Sequence, residues 1–250
     1  MTYILILFLT YVLHLLLKLN WVCTAVVLVF LLVMQHFHRI KGQRFQEARK
    51  RFLDVSLYID TLLYSFLKEQ KIIRAFEDVK STLADGHMKE TVSRAIDHMM
   101  LTFDETEVFV DAMRIIEDEY KCNRIVNAHE FMAHAEYYGG DIKESARILL
   151  KDKSAWERRI LRNIEDRQRM FHQIILSVVT SVIISGIILY LPVLSMDISS
   201  NIIVQILSAV LIMLDDLIIL WGQKFLEVDY LGIDLLPEDD KPVSYTHLRA

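Results

Sequence analysis

Four long apolar blocks limit what this chain can fold into more than any other feature of its sequence. They are 2–17, 21–37, 174–191 and 202–221. A helix needs roughly 17 to 25 apolar residues to cross the hydrocarbon core of a bilayer. The third block carries no charge, the fourth contains two aspartates, and the first two are slightly short but together predict a tight hairpin. The sequence therefore predicts a multi-pass membrane protein with four transmembrane helices.

The composition predicts an all-α fold. Hydrophobic residues make up 53% of the chain, which contains only 7 Gly and 3 Pro. Few turn-forming residues and many Leu, Ile, Glu, Lys and Arg favour long helices, and no useful stretch alternates between apolar and polar residues as a strand would. The net charge of −5 indicates no nucleic-acid partner. The two cysteines, Cys23 and Cys122, indicate neither a disulfide framework nor a zinc site.

Basic residues beside the apolar blocks predict the orientation of the spans. Lys and Arg accumulate in 39–51 and 158–169, whereas the connection 192–201 contains neither. Loops rich in Lys and Arg stay in the cytoplasm, so we expect residues 38–173 and both termini there. The basic segments would attract anionic lipid headgroups, or alternatively an acidic partner protein. A cleaved signal peptide is a poorer interpretation of 2–17, because no basic residue precedes the apolar run.

These features predict four segments. A transmembrane hairpin occupies 1–37, a cytoplasmic helical domain 38–173, two further transmembrane helices 174–221 and a C-terminal tail 222–250. Residues 243–250 resemble a translated sequencing adapter, so we expect the native chain to end before them.

The helical domain begins with an amphipathic pattern. Apolar residues recur there at three- and four-residue spacing, which predicts a helix that buries one face. The members of this face are Phe52, Val55, Ile59, Leu62, Leu63 and Phe66. We expect a bundle of five or six helices with its own core.

The stretch "HEFMAHAEYYGG" (129–140) raises the question of a metal site. A zinc-protease helix places two histidines at i and i+4. His129 and His134 are five residues apart, so they point about 140° away from each other on a helix. With Glu136 they form a weak candidate metal site, and the simpler interpretation is that they are polar positions on an amphipathic helix.

The two glycines of this stretch carry a clearer signal. Gly139 stands where a helix C-cap is expected. A second helix is predicted to run from Ile142 through the Arg-rich segment into the third apolar block. The sequence therefore predicts a tight corner between two helices, the second of which enters the membrane.

The stretch 135–170 resembles the signature of the type II secretion system F family, in which a Glu, a Gly-Gly turn, an apolar residue and an acidic residue precede a long basic helix. The residues that carry the resemblance are Glu136, Gly139, Gly140, Ile142 and Glu144. Residues 52–79 resemble the first helix pair of that family, and the order of spans resembles Tad-type pilus platform proteins. This chain departs from the family at Ile142, where Leu is usual, and at 67–72, where a Gly-containing turn is more usual.

The resemblance implies a function that the residues alone would not. Such proteins are platforms of pilus or pseudopilus assembly in the bacterial inner membrane. They contact a cytoplasmic hexameric secretion ATPase, help to move pilin or pseudopilin subunits, and associate with themselves or with a related platform protein. The resemblance implies no catalytic activity and no cofactor. The sequence likewise contains no Gly-rich phosphate-binding loop, nucleophile elbow or metal-ligand spacing.

Two other classes of protein remain open from the sequence. A membrane-bound metal-dependent enzyme or signalling protein would use the His and Glu side chains of 129–136. A small transporter would use the polar residues of the fourth apolar block, but the large helical domain would then be unexplained.

Asp215 and Asp216 interrupt the fourth apolar block. An acidic side chain in mid-membrane costs about 2.5–3.5 kcal/mol to insert, but counting from Trp221 these two lie only about 8–9 Å deep. They therefore either reach cytoplasmic water or make a polar contact, within the helix bundle or with a pilin segment.

Small residues recur every four positions on the third block, at Ser177, Ser181 and Ser185. Such a stripe lets another helix approach closely. We expect this face to pack on the fourth span, with at least one of the two aspartates accepting a serine hydrogen bond.

Overall fold

The computed structural model describes residues 2–101, 108–139, 142–190 and 201–231, and every regular element within these ranges is a helix, as the composition predicts. In chain order they are α1 (Thr2–Leu16), α2 (Trp21–Glu69), α3 (Ile72–Thr82), α4 (His87–Leu101), α5 (Val108–Tyr120), α6 (Asn123–Tyr138), α7 (Ile142–Tyr190) and α8 (Ile202–Lys224). Gly140 and the adapter-like residues 243–250 lie outside the described residues.

Two helices are much longer than the others, since α2 and α7 contain 49 residues each. The sequence predicts that α7 joins the Arg-rich segment to the third apolar block without a break, and it does. For α2, the sequence suggests a boundary at 37/38, where apolar residues give way to basic ones, but the helix continues. Between 21 and 69 there is no Pro and only Gly42. The residues become more polar at 37/38, but none of them lowers the helical propensity enough to end the helix.

Three helices, α2, α7 and α8, are long and apolar enough to cross a membrane. Helix α1 is apolar but contains only 15 residues, which gives it a length of about 22 Å against a hydrocarbon core of about 30 Å. Many large apolar side chains of these helices are exposed, among them Phe8, Val29, Ile187 and Leu207. Exposed apolar surface on this scale indicates a membrane protein.

The chain divides into two compact units, and the boundaries between them fall inside α2 and α7. Among the described residues, the first unit contains those up to Gln46 together with Ile164–Val228, and the second contains Glu47–Asn163 together with 229–231. In the first unit, apolar residues of α1, α2 and α8 pack together with Val182 and Leu189 of α7.

The core of the second unit forms around the predicted face of α2. All six residues of that face are buried. Helix α4 packs against α3 and α5, and α6 packs against α3 and α5. Trp156 of α7 is also buried, and its ring lies 5.1 Å from that of Phe52 in an edge-on arrangement.

Candidate functional site

The corner after α6 lies at a glycine whose backbone conformation other residues rarely adopt. Gly139 has φ 67° and ψ −151°, and its N–H donates to the carbonyl oxygen of Ala135 at 3.1 Å. This combination is essentially restricted to glycine. Gly139 therefore occupies the position after α6 that the sequence assigns to a C-cap.

Glu136 connects the end of α6 to the start of another helix. Its Oε2 accepts a hydrogen bond of 3.2 Å from the backbone N–H of Ile72, the first residue of α3. The first N–H groups of a helix have no partner within the helix, and Lys71, which precedes α3, makes no side-chain cap. Partial burial raises the pKa of Glu136, although the bond from Ile72 and the charge of Lys71 oppose the shift.

The remaining described residues of the family motif lie at the start of α7. Ile142 is its first residue and is half-buried, whereas Glu144 is exposed and pairs with Arg147, whose Nη2 lies 2.7 Å from its Oε1. An acidic residue in the first turn stabilises a helix through its dipole. The described part of the motif thus ends one helix, begins another, and supplies a partner to the start of α3.

His129, interpreted from the sequence as a polar position on an amphipathic helix, is 1% exposed in α6. Its Nδ1 lies 2.7 Å from Oε1 of Glu117, and its Nε2 lies 2.6 Å from the hydroxyl of Tyr58. The geometry fits a neutral imidazole that donates to Glu117 and accepts from Tyr58. Burial lowers the pKa of His129, although Glu117 opposes the shift, and burial raises the pKa of Tyr58.

The structure does not bring the candidate metal ligands together. His134 is exposed and its ring contacts that of Tyr138 at 4.8 Å, whereas both ring nitrogens of His129 are engaged by protein groups. Over the described ranges, no three His, Cys, Asp or Glu side chains cluster in a way that could hold a metal ion.

The polar residues of the apolar blocks lie in the first unit. Ser177 and Ser181 line a groove between α7 and α8, and Asp215 lines it from the opposite side. The Ser181 hydroxyl is near enough to interact with the Asp215 carboxylate. Oδ2 of Asp215 is buried and, among the described residues, has no hydrogen-bond partner.

Asp216 has a partner that the sequence did not suggest. Its Oδ1 lies 3.2 Å from Nε2 of His38 in α2, and Nδ1 of His38 lies 3.0 Å from Oε1 of Gln223. Nearby, Nζ of Lys41 donates to the carbonyl oxygen of Leu220 at 3.2 Å. The sequence contains only an indirect indication of this contact. His38 directly follows the second apolar block, and Asp216 lies close to the end of the fourth.

The stripe of small residues on α7 is divided between two neighbours. Ser177 and Ser181 face the groove beside α8, whereas Ser185 is half-buried and donates to the backbone oxygen of Ser181 at 2.8 Å. Gly186 packs against α1, since a Cβ there would lie 2.6 Å from Cγ of Leu16. The small residues therefore serve helix packing on two sides.

Sequence reasoning also missed a buried lysine in the second unit. Lys153 of α7 is 2% exposed, and its Nζ donates to Asp60 and Glu157. Burial tends to raise the pKa of Glu157, but the hydrogen bonds from Lys153 and Ser56 outweigh it and leave that pKa lowered. The i,i+4 spacing to Glu157 is a local signal, but Asp60 precedes the lysine by 93 residues, so no local pattern predicts that contact or the burial.

Comparisons of this chain with protein-family models, with curated proteins and with solved structures find no match.

Proposed function

We propose that this protein is a platform of a type II secretion or Tad-type pilus assembly machine in a bacterial inner membrane. The observation that carries the proposal is an order of segments: apolar helices, a helical unit whose last corner contains Glu136 and Gly139, and α7 leading from that corner into an apolar block. In this role the protein would couple a cytoplasmic hexameric secretion ATPase to the extrusion of pilin or pseudopilin subunits, without chemistry of its own.

The continuity of α7 supports this role. The helix begins beside the corner, passes through Lys153 and Trp156 in the core of the second unit, and ends in apolar residues of membrane-spanning length. In the proposed role, a movement at the ATPase-facing surface would be passed to the membrane segments. An unbroken helix held at Lys153 by two carboxylates is a suitable element for that.

The proposal includes a membrane arrangement. Helix α1 and the helices α2, α7 and α8 serve as four spans, and residues 38–173 and both termini face the cytoplasm. The short α1 would complete a hairpin with α2 through the turn at 17–20. That turn is anchored by α8, since Oε1 of Gln205 accepts from the N–H of Asn20 and its amide donates to the carbonyl oxygen of Lys18, both at 2.7 Å.

Crosslinking in the native host tests the proposal. A photoreactive residue at exposed Tyr64 or Tyr138 of the second unit should capture a secretion ATPase, identified by mass spectrometry. The same residue at Tyr11 of α1, which is also exposed but lies in an apolar helix, is the matched control and should capture lipid, a pilin or a second platform protein, but no ATPase. If none of these positions captures an ATPase or a pilin, the platform role is contradicted.

No observation favours the alternative of a metal-dependent enzyme or signalling protein at 129–136. Its two histidines point apart, and His129 already has two protein partners. Metal analysis of the purified protein distinguishes the two functions, because a stoichiometric metal ion would support the enzyme and not the platform.

A further inference from the structure

One face of α7 is exposed along the whole apolar half of the helix. Its members recur at three- and four-residue spacing, which places them on one side of a helix. They are Arg169, His172, Leu176, Val179, Ile183 and Ile187, and each of them is exposed. Contacts within the first unit lie on other sides of α7, where Gly186 packs against α1 and Ser181 faces α8. In a membrane, the exposed face therefore meets lipid.

The residues change along this face from charged to apolar. Glu165 comes first, Arg169 and His172 follow about 6 and 10 Å further along the helix axis, and Leu176 begins the apolar part. These four residues line a shallow groove of about 490 Å³ on the surface of the first unit, together with two glutamine side chains. The groove thus lies where a spanning helix leaves the hydrocarbon core and meets the lipid headgroups.

The charged side chains of this groove are not engaged by the protein. Glu165 and Arg169 are four residues apart, a spacing that often forms an ion pair on a helix. Within the described ranges, however, neither side chain has a hydrogen bond or an ion pair, and the same holds for the ring of His172. The guanidinium and the imidazole can therefore donate to a ligand, and the carboxylate can accept from one.

The order of these groups matches the order of groups in a zwitterionic phospholipid. In such a lipid the acyl chains lie deepest, the phosphate lies at the membrane surface, and the ammonium group extends beyond the phosphate. Leu176 and Val179 are placed to contact an acyl chain. Arg169 and His172 are placed to donate to the phosphate, which arginine binds through parallel hydrogen bonds. Glu165, one turn further from the core, is placed to accept from the ammonium group.

The charges of the groove select among headgroups. Its one arginine and its one carboxylate cancel when His172 is neutral, which fits a headgroup with a charge of each sign better than an anionic headgroup. Phosphatidylcholine carries both charges, but its ammonium group is methylated and has no N–H. Phosphatidylethanolamine offers N–H donors to Glu165, and its short ethylene linker keeps them close to the phosphate.

We propose that this groove of α7 binds a phosphatidylethanolamine molecule of the adjacent leaflet, with Arg169 and His172 on its phosphate and Glu165 on its ammonium group. Its acyl chains lie along Leu176 and Val179. The proposal rests on α7 spanning a membrane. It is independent of the platform role and of the direction in which the spans are inserted.

Lipid retention by the full-length protein tests this site. The protein is released from nanodiscs that contain equal amounts of phosphatidylethanolamine, phosphatidylcholine and phosphatidylglycerol with identical acyl chains, and native mass spectrometry counts the lipids that stay bound. The wild type should retain phosphatidylethanolamine at least about threefold over each of the others. Glu165→Gln should remove the preference over phosphatidylcholine, and Arg169→Gln should lower the retention of both lipids by about threefold. Asp166→Asn and Arg44→Gln, at exposed positions outside the groove, are the matched controls and should behave as the wild type does.

A second measurement needs no variant. Phosphatidylethanolamine with a photoreactive group in the upper part of one acyl chain should label residues 176–183 of the wild type, and unlabelled phosphatidylethanolamine should compete with it, whereas phosphatidylcholine should not. Selective retention that Glu165→Gln removes, or labelling with this competition, supports the site. Equal retention of the three lipids (annular lipid only), a preference for phosphatidylglycerol, equal losses in Glu165→Gln and Asp166→Asn, or labelling that phosphatidylcholine suppresses equally would overturn it.

Discussion

At the scale of single residues, two buried polar side chains of the second unit belong to hydrogen-bond networks. His129 has partners at both nitrogens, and Lys153 has two carboxylates. A buried donor or acceptor that loses its partner costs more than the intact bond contributes. These residues should therefore respond strongly to substitution, whereas their exposed neighbours should not.

The buried lysine gives the first prediction. Lys153→Met should lower the free energy of unfolding by about 1–3 kcal/mol. We expect the lower part of this range, because Asp60 and Glu157 are 37% and 31% exposed and can turn to water. Trp156 reports on the second unit alone once Trp21 and Trp221 are replaced by Phe, so its fluorescence during denaturation measures the change. Lys151→Met, on the exposed side of the same helix, should stay within about 0.5 kcal/mol of wild type, and an equal loss there would contradict the assignment.

The buried histidine gives a pH dependence. Burial lowers the folded-state pKa of His129 below its ordinary value of 6.5. The folded state therefore binds fewer protons than the unfolded state, and stability is complete above pH 6.5 and falls as the pH decreases below it. The same Trp156 fluorescence, recorded between about pH 5 and 8, should show this loss, and His129→Gln should reduce its size. Stability that increases on acidification would mean instead that Glu117 holds a charged imidazolium.

At the scale of helices, the amphipathic pattern at 52–66 predicted the buried face of α2 correctly, because burial there follows from periodicity alone. Periodicity could not show that α2 continues through 37/38, since polarity changes there without any helix-breaking residue. It also could not pair His129 with Tyr58, which lies 71 positions away. For the polar residues of α7, the serine spacing identified the helix face that packs against other helices. It could not show that this face meets both α1 and α8, because those contacts depend on tertiary structure.

Two substitutions at the turns between helices should change the free energy of unfolding in opposite directions. Gln70 has φ 52° and follows α2, and its N–H donates to the carbonyl oxygen of Phe66 at 2.8 Å. A side chain in this region costs about 1–2 kcal/mol, and this is the turn at which the resembling family usually has glycine. Gln70→Gly should therefore stabilise the second unit by about 0.5–1 kcal/mol.

Gly139→Ala is the counterpart of that substitution. Nothing lies within 4 Å of its added Cβ, so any loss comes from the backbone conformation. We expect a loss of about 1–3 kcal/mol, measured by Trp156 fluorescence. Changes of the same sign and size in Gln70→Gly and Gly139→Ala would show that backbone conformation does not determine the stability of these turns.

At the scale of the whole molecule, the exposed apolar faces are the feature that most needs an explanation. Side chains such as Ile187 of α7 and Val210 of α8 are exposed, whereas Ala209 beside Val210 is buried in the core of the first unit. In water such surfaces would associate. In a bilayer they face acyl chains, and the buried positions make the contacts between helices.

Spin labels on single cysteines in nanodiscs test this interpretation, after Cys23 and Cys122 are replaced by Ala. Labels at Ile187 and Val210 should collide readily with dissolved oxygen, which concentrates in acyl chains, and rarely with a water-soluble nickel complex. A label at Arg44, exposed in the basic part of α2, should show the opposite preference, and one at Ala209 should meet neither reagent freely. Access of the nickel complex to both Ile187 and Val210 would place these faces in water, and α7 and α8 would then not be membrane spans.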